Sequence, residues 1–374
     1  MRVIKVLVVD DSALMRKALK AMLVDAGFEV DTARNGVDAL AQVRQGSYDV
    51  VTLDVNMPEM DGLTCLSQLM ADHPLPVVMV SSLTAPNAAV TFEALELGAV
   101  DFVAKPGGTV SLDIESVRRQ LVEKVQAASR ARVRRAGGLR DRLRRQREAL
   151  EPVEVGAAAR TASRPPVPRP SRAARAERRV SSGPVPDLVL VGSSTGGPGA
   201  LSEVFRVLPR EFTAPVVVAQ HIPASFTRHL AERLDEDCAV EVVEVSGVET
   251  LRPGTVYLGR GDADVLIGRR PGGLVAKSVP PSSDYRWHPS VDRLVASALA
   301  CVHDPRRLIG VLLTGMGDDG AEQLTQLHEL GGRTIAESEA TAVVYGMPGE
   351  LVRRDGADVV LPVDRIGAHL ATWA

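Results

Sequence analysis

The sequence predicts an α/β protein: an N-terminal five-stranded, doubly wound parallel sheet linked to a second doubly wound α/β domain. Three observations predict it. Short apolar runs alternate with helix-like segments five times before residue 125. From Asp187 onward, buried-strand patterns recur, and several end in polar residues. Between them lies a stretch rich in arginine and proline that fits neither pattern. The expected divisions are residues 1–125, a linker over 126–184, and a second domain over 185–374.

Val3 to Val9 reads as a buried strand, followed by Asp10, Asp11 and Ser12. Ser12 can cap a helix whose inner face is expected to include Leu14, Ala18 and Met22. Val30 to Ala33, Val50 to Leu53, Val77 to Val80 and Phe102 to Ala104 read as further strands. Helices are expected over Gly36 to Val43, Leu63 to Met70 and Ala88 to Leu97. Asp10, Asp11, Asp54, Ser81 and Lys105 then each follow a strand. In a doubly wound sheet the carboxyl ends of the strands converge on one crevice. Three carboxylates there repel one another unless a hard dication joins them, and oxygen ligands suit Mg²⁺. A lysine ammonium nearby balances a bound phosphoryl group. Taken singly, Asp10-Asp11 also fits a helix start and Lys105-Pro106 a plain turn; the coincidence of five such residues at four strand ends favours a site.

These residues carry a resemblance. Asp10-Asp11, the run Leu53-Asp54-Val55-Asn56-Met57-Pro58, Asp61-Gly62, Ser81, and Phe102 to Lys105-Pro106 resemble a response-regulator receiver domain over nearly all of residues 1–125. The resemblance implies that Asp54 accepts a phosphoryl group from a histidine kinase. It implies Mg²⁺ held by Asp11, Asp54 and the backbone carbonyl of Asn56, with Asp10 behind them or acting through water. Ser81 and Lys105 would contact the phosphoryl group, and Phe102 would occupy the aromatic switch position.

The bulk composition excludes several classes. The chain has 374 residues, 45% hydrophobic but only 3% aromatic, so its cores are built from Val, Leu, Ala and Ile. Stacking platforms for single-stranded nucleic acid are poorly supplied. Cys65, Cys238 and Cys301 are odd in number and far apart, which fits neither a disulfide framework nor a zinc site and points to a reducing compartment. The run Val3 to Val9 is too short and too soon charged for a signal peptide. No stretch approaches the ~20 apolar residues of a membrane span. The expectation is a cytoplasmic protein without membrane insertion.

Residues 130–179 hold 16 arginines against five acidic residues. Prolines at 152, 165, 166, 168 and 170 forbid a long regular element after about residue 151. From Val117 to Leu150 the pattern is weakly helical, with Leu139, Leu143 and Leu150 able to share a face. This stretch reads as a solvated, self-repelling linker, or as a basic arm for nucleic acid, an acidic receptor tip or a membrane surface.

The second domain is organised around Asp187 to Pro198. Leu188 to Gly192 reads as a buried strand; Ser193, Ser194, Thr195 and the Gly196-Gly197 pair turn the chain; Pro198 fits the first turn of a helix. A hydroxyl there sits beside a helix N-terminus, where N–H groups favour developing negative charge. On these residues alone the turn is a nucleophile site, a phosphate-binding turn or a tight strand–helix turn that binds nothing, and neither G-x-G-x-x-G nor G-K-[ST] is present. A strand over Pro215 to Ala219 ends at Gln220-His221. A helix is expected over Ala224 to Leu234, then short strands over Val240 to Val245, Thr255 to Leu258, Val265 to Ile267 and Leu274 to Ser278, some of them antiparallel. Ser290 to Val302 reads as a helix. A strand over Leu308 to Leu313 ends at Thr314 to Gly320, followed by a helix to about Leu330 and a strand near Arg333 to Ala336.

Ser194, His221 and Asp319 (or Asp318) thus each lie just past a buried strand. A serine needs a base, a neutral imidazole can serve near pH 7, and an anion must hold the imidazole's tautomer. The glycines beside Ser194 and Asp319 let backbone N–H groups approach an oxyanion. A satisfied histidine and a helix-capping aspartate are the alternatives for His221 and Asp319 taken one at a time.

The stretches Val191 to Gly197, Gln220-His221 to Phe226, Leu313 to Ala321 and Glu339 to Pro348 resemble the catalytic domain of the chemotaxis protein-glutamate methylesterases, the CheB family. The resemblance implies Ser194 as nucleophile, His221 as base and Asp319 as third member, with backbone N–H groups near Thr195 and Met316 as the oxyanion hole. It implies hydrolysis of glutamyl methyl esters on chemoreceptors with release of methanol, and deamidation of receptor glutamines. A receiver packed over the active site would be loosened when Asp54 is phosphorylated. No cofactor is expected for the ester chemistry, no nucleic acid partner, and a monomer. The linker is longer and more arginine-rich than usual. Trp287 stands where the family commonly has a basic residue, and Gly259-Arg-Gly-Asp-Ala263 replaces a more usual Ala-Pro-Gly-Asp. A rival reading is a receiver whose output domain only binds DNA or a signalling partner; it gives no reason for serine, histidine and aspartate at three strand ends. An esterase acting on a methylated protein outside chemotaxis keeps the chemistry and changes the biology.

Overall fold

The computed structural model describes residues 2–81, 85–105, 114–131 and 186–373. Most of the 126–184 linker, with Leu139, Leu143 and Leu150, lies outside the described residues, as do Ser82 and Pro106.

The first sheet comprises Lys5–Val9 (β1), Glu29–Ala33 (β2), Val50–Asp54 (β3), Val77–Ser81 (β4) and Asp101–Ala104 (β5). All are parallel, in the order β2-β1-β3-β4-β5. The helices between them are Ala13–Asp25 (α1), Gly36–Gln45 (α2), Gly62–Asp72 (α3) and Ala85–Glu96 (α4); Ile114–Ala128 (α5) follows β5. Three helix starts are capped as their sequences dictate: Ser12, Asn35 and Asp61 accept from the N–H groups of Met15, Asp38 and Thr64. β3 and β4 are buried along their whole length, because helices cover both faces.

One expectation needs correction. The fully buried residues of α1 are Leu19 and Leu23, on the stripe Met15-Leu19-Leu23; of the expected stripe Leu14-Ala18-Met22, Leu14 is 78% exposed and Ala18 partly covered, while Met22, like Met15, packs partly buried on the same core. Both sets are apolar at i, i+4, i+8, one residue apart on the helix. The face carrying two buried leucines packs against the core, where they cover more apolar area than Ala18.

The second sheet has seven parallel strands: Leu188–Ser193 (β6), Val216–Gln220 (β7), Glu241–Val245 (β8), Thr255–Gly259 (β10), Leu308–Leu312 (β13), Arg333–Glu337 (β14) and Val359–Leu361 (β15). Their order is β15-β14-β13-β6-β7-β10-β8. Val248–Thr250 (β9), Asp264–Arg270 (β11) and Gly273–Val279 (β12) form a separate antiparallel sheet. Helices Gly197–Phe205 (α6), Ala224–Asp237 (α7), Val291–Cys301 (α8), Ala321–Glu329 (α9), Met347–Arg353 (α10) and Val363–Trp373 (α11) complete the lobe. The elements from α10 to α11 go beyond the sequence reading.

The two lobes share an apolar junction. Phe92 of α4, Phe102 of β5 and Phe226 of α7 are all at most 3% exposed, and their centroids lie 4.3–6.4 Å apart. Half of the chain's six phenylalanines meet here, so this contact is the densest aromatic cluster of an aromatic-poor protein. Phe226→Ala should therefore cost about 3–5 kcal/mol, the usual toll for deleting a buried aromatic. A denaturant titration checks it, and a change below about 1 kcal/mol would show that the junction repacks freely.

Candidate functional site

In the second sheet the chain leaves β6 toward β7 on one side and returns to β13 on the other. Strand order reverses between β6 and β13, and a crevice opens beyond their carboxyl ends. Their loops are laced together there: Leu313 N–H donates to Gly192 O at 2.9 Å and Ser194 N–H to Thr314 O at 3.0 Å. Gly196 has φ of +79°, and a Cβ on it would lie 2.7 Å from Val343, so the turn after the serines requires glycine.

The two serines differ. Ser193 is buried and donates to Gln220 Oε1 at 2.6 Å. Gln220 Nε2 in turn donates to the carbonyls of Ser194 and His221, both at 3.0 Å. Ser193 therefore locks the ends of β6 and β7 together. Ser194 is partly exposed and lines a cavity of ≈270 Å³ with Thr195, His221, Met316 and Trp287.

His221 Nε2 lies 2.8 Å from Asp319 Oδ2. Asp319 is buried, and it also accepts from Val291 N–H at 2.7 Å, Ser290 Oγ at 2.9 Å and Asp292 N–H at 3.0 Å. Those donors are the N-terminus of α8, where helix geometry favours an anion. Burial pushes the Asp319 carboxyl up, but His221 and the helix donors outweigh it and hold it below the usual carboxylate range. An anionic Asp319 keeps the imidazole proton on Nε2. His221 Nδ1 is buried and has no hydrogen-bond partner among the described residues. Trp287 stacks on the ring, 5.6 Å between centroids and 4° from parallel. Of the two candidate aspartates only Asp319 reaches His221; Asp318 is exposed.

The receiver-like sheet presents a second cluster. Lys105 Nζ lies 2.7 Å from Asp54 and 2.9 Å from Asp10. Ligand oxygens of Asp10, Asp11 and Asp54 lie within 4.8 Å of one another. Burial pushes Asp54 up despite its lysine partner. Burial works against the Lys105 charge, but its two carboxylates win and raise it. Three carboxylates against one ammonium leave negative charge uncompensated, and an all-oxygen donor set fits a hard divalent cation. Ser81 ends β4 at the same edge and is buried; its carbonyl accepts from Lys105 N–H at 2.8 Å. The Asn56 N–H donates to the Asp54 carboxylate.

Residues 189–370 match the family model described as CheB methylesterase, and residues 6–114 match that of the response regulator receiver domain. The chain is 53% identical over 372 residues to protein-glutamate methylesterase/protein-glutamine glutaminase 2 of Rhodopseudomonas palustris, covering 99% of this chain and 98% of that one. The chain belongs to the CheB family. It is also 52% identical over 377 residues to protein-glutamate methylesterase/protein-glutamine glutaminase 3 of Rhodospirillum rubrum, covering 99% and 96% of the two chains. The crystal structure of the Thermotoga maritima CheB methylesterase catalytic domain is 35% identical, covers 51% of this chain and all of that one, and superposes with a TM-score of 0.49.

In this CheB chain the two clusters are joined by contacts that sequence reasoning missed. Thr195 Oγ1, next to Ser194, donates to Asp101 Oδ2 at 2.6 Å. Lys124 of α5 donates to Asp101 Oδ1 and to Phe102 O, both at 2.7 Å. Ser290 and Gln220 were visible only as neighbours of motif residues, and their roles depend on partners 29 and 27 positions away.

Ser193→Ala strips a buried acceptor of its donor and should cost about 1–3 kcal/mol; an unchanged denaturation midpoint would mean the Gln220 lock carries no weight. Because the folded pKa of Asp319 lies below its unfolded value of ~3.9, its stabilisation is full above that value and lost as pH falls through the folded one. Asp319→Asn should accordingly flatten the acid limb of the stability–pH curve below pH ~4, and an unaltered limb would assign it to other carboxylates.

Proposed function

We propose that this chain is a phosphorylation-controlled protein-glutamate methylesterase and protein-glutamine glutaminase acting in chemotactic adaptation. The observation that carries this reading is the His221–Asp319 pair with an unpartnered Nδ1, opening on the same cavity as Ser194 at the strand-order reversal. We assign residues 1–125 to the receiver, 126–184 to the linker and 185–374 to the catalytic domain.

In this mechanism Ser194 Oγ attacks the ester carbonyl of a glutamyl side chain while His221 Nδ1 takes its proton. Asp319 holds the imidazole and stabilises its cation. Backbone N–H groups at Thr195 and Met316 stabilise the oxyanion. The imidazolium returns its proton to the leaving methoxide, methanol departs, and an acyl-enzyme remains. Water, deprotonated by His221, then releases the glutamate and regenerates the serine. A glutamine follows the same course with ammonia as leaving group.

Asp54 is the phosphorylation site, with a histidine kinase as donor, and Ser81 and Lys105 contact the phosphoryl oxygens. Asp11, Asp54 and the Asn56 carbonyl would hold Mg²⁺, with Asp10 behind them or acting through water; when bound, the ion would supply positive charge to the phosphoryl oxygens. Phe102 is the aromatic switch residue. Methylated chemoreceptors are the substrate; the protein acts as a cytoplasmic monomer, without nucleic acid. Among the described residues no helix is long and apolar enough to cross a membrane.

Methanol release from a methylated chemoreceptor fragment tests the reading. It should require Ser194, with Ser194→Ala several orders of magnitude slower. It should rise with a small phosphodonor and Mg²⁺ in the wild type but not in Asp54→Ala. Release that persists in Ser194→Ala would overturn the assignment of the nucleophile, and an equal phosphodonor response in Asp54→Ala would overturn the control.

A further inference from the structure

Helix α5 of the receiver lies over the catalytic cavity. Gln120 and Glu123, three residues apart and so on one helical face, line that cavity together with Ser194 and His221. Glu123 is ion-paired to Arg286 of the catalytic lobe. The Arg286 guanidinium sits 5.1 Å from the centroid of Trp287, the ring stacked on His221. A second pair repeats the polarity: Arg233 of α7 meets Glu96 of α4 at 2.5 Å. In both pairs the arginine belongs to the catalytic lobe and the glutamate to the receiver. Lys124 and Arg119 of α5 also line the cavity, and Lys124 is committed to Asp101 and the Phe102 carbonyl.

What covers the nucleophile is therefore a helix that offers a glutamine side chain and, one turn on, a glutamate. The proposed substrate likewise offers a glutaminyl or esterified glutamyl side chain, and Glu123 shows that a carboxylate one turn away meets Arg286. We infer that the surface beneath α5 is the docking site for an acidic substrate helix, that Arg286 anchors a carboxylate one turn from the reacting side chain, and that α5 occupies the site as a substrate mimic. The inference rests on the esterase–glutaminase reading and deepens it. In this pair the Arg286 side chain is 59% exposed and that of Glu123 22%, so water reaches the contact mainly from the arginine's side. Solvent-exposed ion pairs are weak, so a substrate carboxylate can take the place of Glu123 at little cost once the receiver loosens.

The test uses the full chain with phosphodonor and Mg²⁺ and two synthetic helical peptides. Each carries one glutamyl methyl ester; one has glutamate three residues further on, the other glutamine. Wild type should prefer the acidic peptide by about two- to fivefold in kcat/KM, mainly through KM, as expected for one partly exposed ion pair. Arg286→Gln should abolish the preference, and Arg286→Lys should keep part of it. Glu123→Gln should raise hydrolysis of the acidic peptide in the absence of phosphodonor. A preference that survives Arg286→Gln, or an equal loss on both peptides, would overturn the docking inference and leave the esterase reading standing. Binding of the unesterified acidic peptide to Ser194→Ala protein, followed by fluorescence anisotropy, separates the remaining case. Arg286-dependent binding without any Ser194-dependent hydrolysis would keep the docking site and overturn the esterase reading. Arg286-independent binding would overturn the docking site.

Discussion

The buried carboxylate of Asp319 is the constraint on which the catalytic geometry hangs. A charge at 3% exposure is tolerable only if its oxygens are fully engaged. Here the engagement comes from two directions at once: the N-terminus of α8, with its Ser290 cap, and the His221 ring. Satisfying Asp319 therefore positions α8 against the loop after β13 and sets the rotation of the imidazole. Asp292, the next acidic residue, sits beside it and is pushed up to about 6, chiefly by burial and then by the Asp319 charge. Of these two neighbouring carboxylates, the one held by the α8 N-terminus is lowered and touches His221, whereas Asp292, which accepts from Gln323 N–H at 3.0 Å, is raised.

A second buried carboxylate does similar work between the lobes. Asp101 begins β5 and receives both Lys124 and Thr195. Lys105, just past the other end of the same four-residue strand, holds Asp10 and Asp54. One short strand thus leads to the lysine of the acidic cluster at one end and carries a hydrogen bond to the loop after β6 at the other. Phe102 lies between them in the phenylalanine cluster. Under the proposed control, moving the receiver from mostly closed to mostly open, 1:99 to 99:1, would need about 5.5 kcal/mol of differential stabilisation. Among the described residues the contacts between the lobes include the aromatic junction, two arginine–glutamate pairs, the Thr195–Asp101 bond and Val343 packed on the receiver core, so any smaller change gives graded opening.

Much of this was legible beforehand, for identifiable reasons. Buried parallel strands are continuous apolar runs, and chain polarity places whatever follows them at one edge of the sheet. That is why Asp10, Asp54 and Lys105 could be grouped, and Ser194, His221 and Asp319 likewise. Local pattern failed where two answers were locally equivalent. Leu14-Ala18-Met22 and Met15-Leu19-Leu23 are both helical apolar stripes, and only the packing of α1 on its sheet chose between them. The choice of Ser194 over Ser193 came from resemblance; the physical ground is a glutamine 27 positions away that occupies the Ser193 hydroxyl.

The sequence by itself determined the fold class, the alternation of strands and helices and the chemical types gathered at each sheet edge, because these follow from periodicity and chain direction. Tertiary structure alone decided which aspartate meets His221, which hydroxyl is left in the cavity, and which receiver helix lies over it. Those outcomes depend on partners far apart in the chain, such as Arg286 with Glu123 and Thr195 with Asp101. No local pattern carries such pairings: surface glutamates and arginines are abundant, and only the shape of the packed lobes brings a particular two within reach.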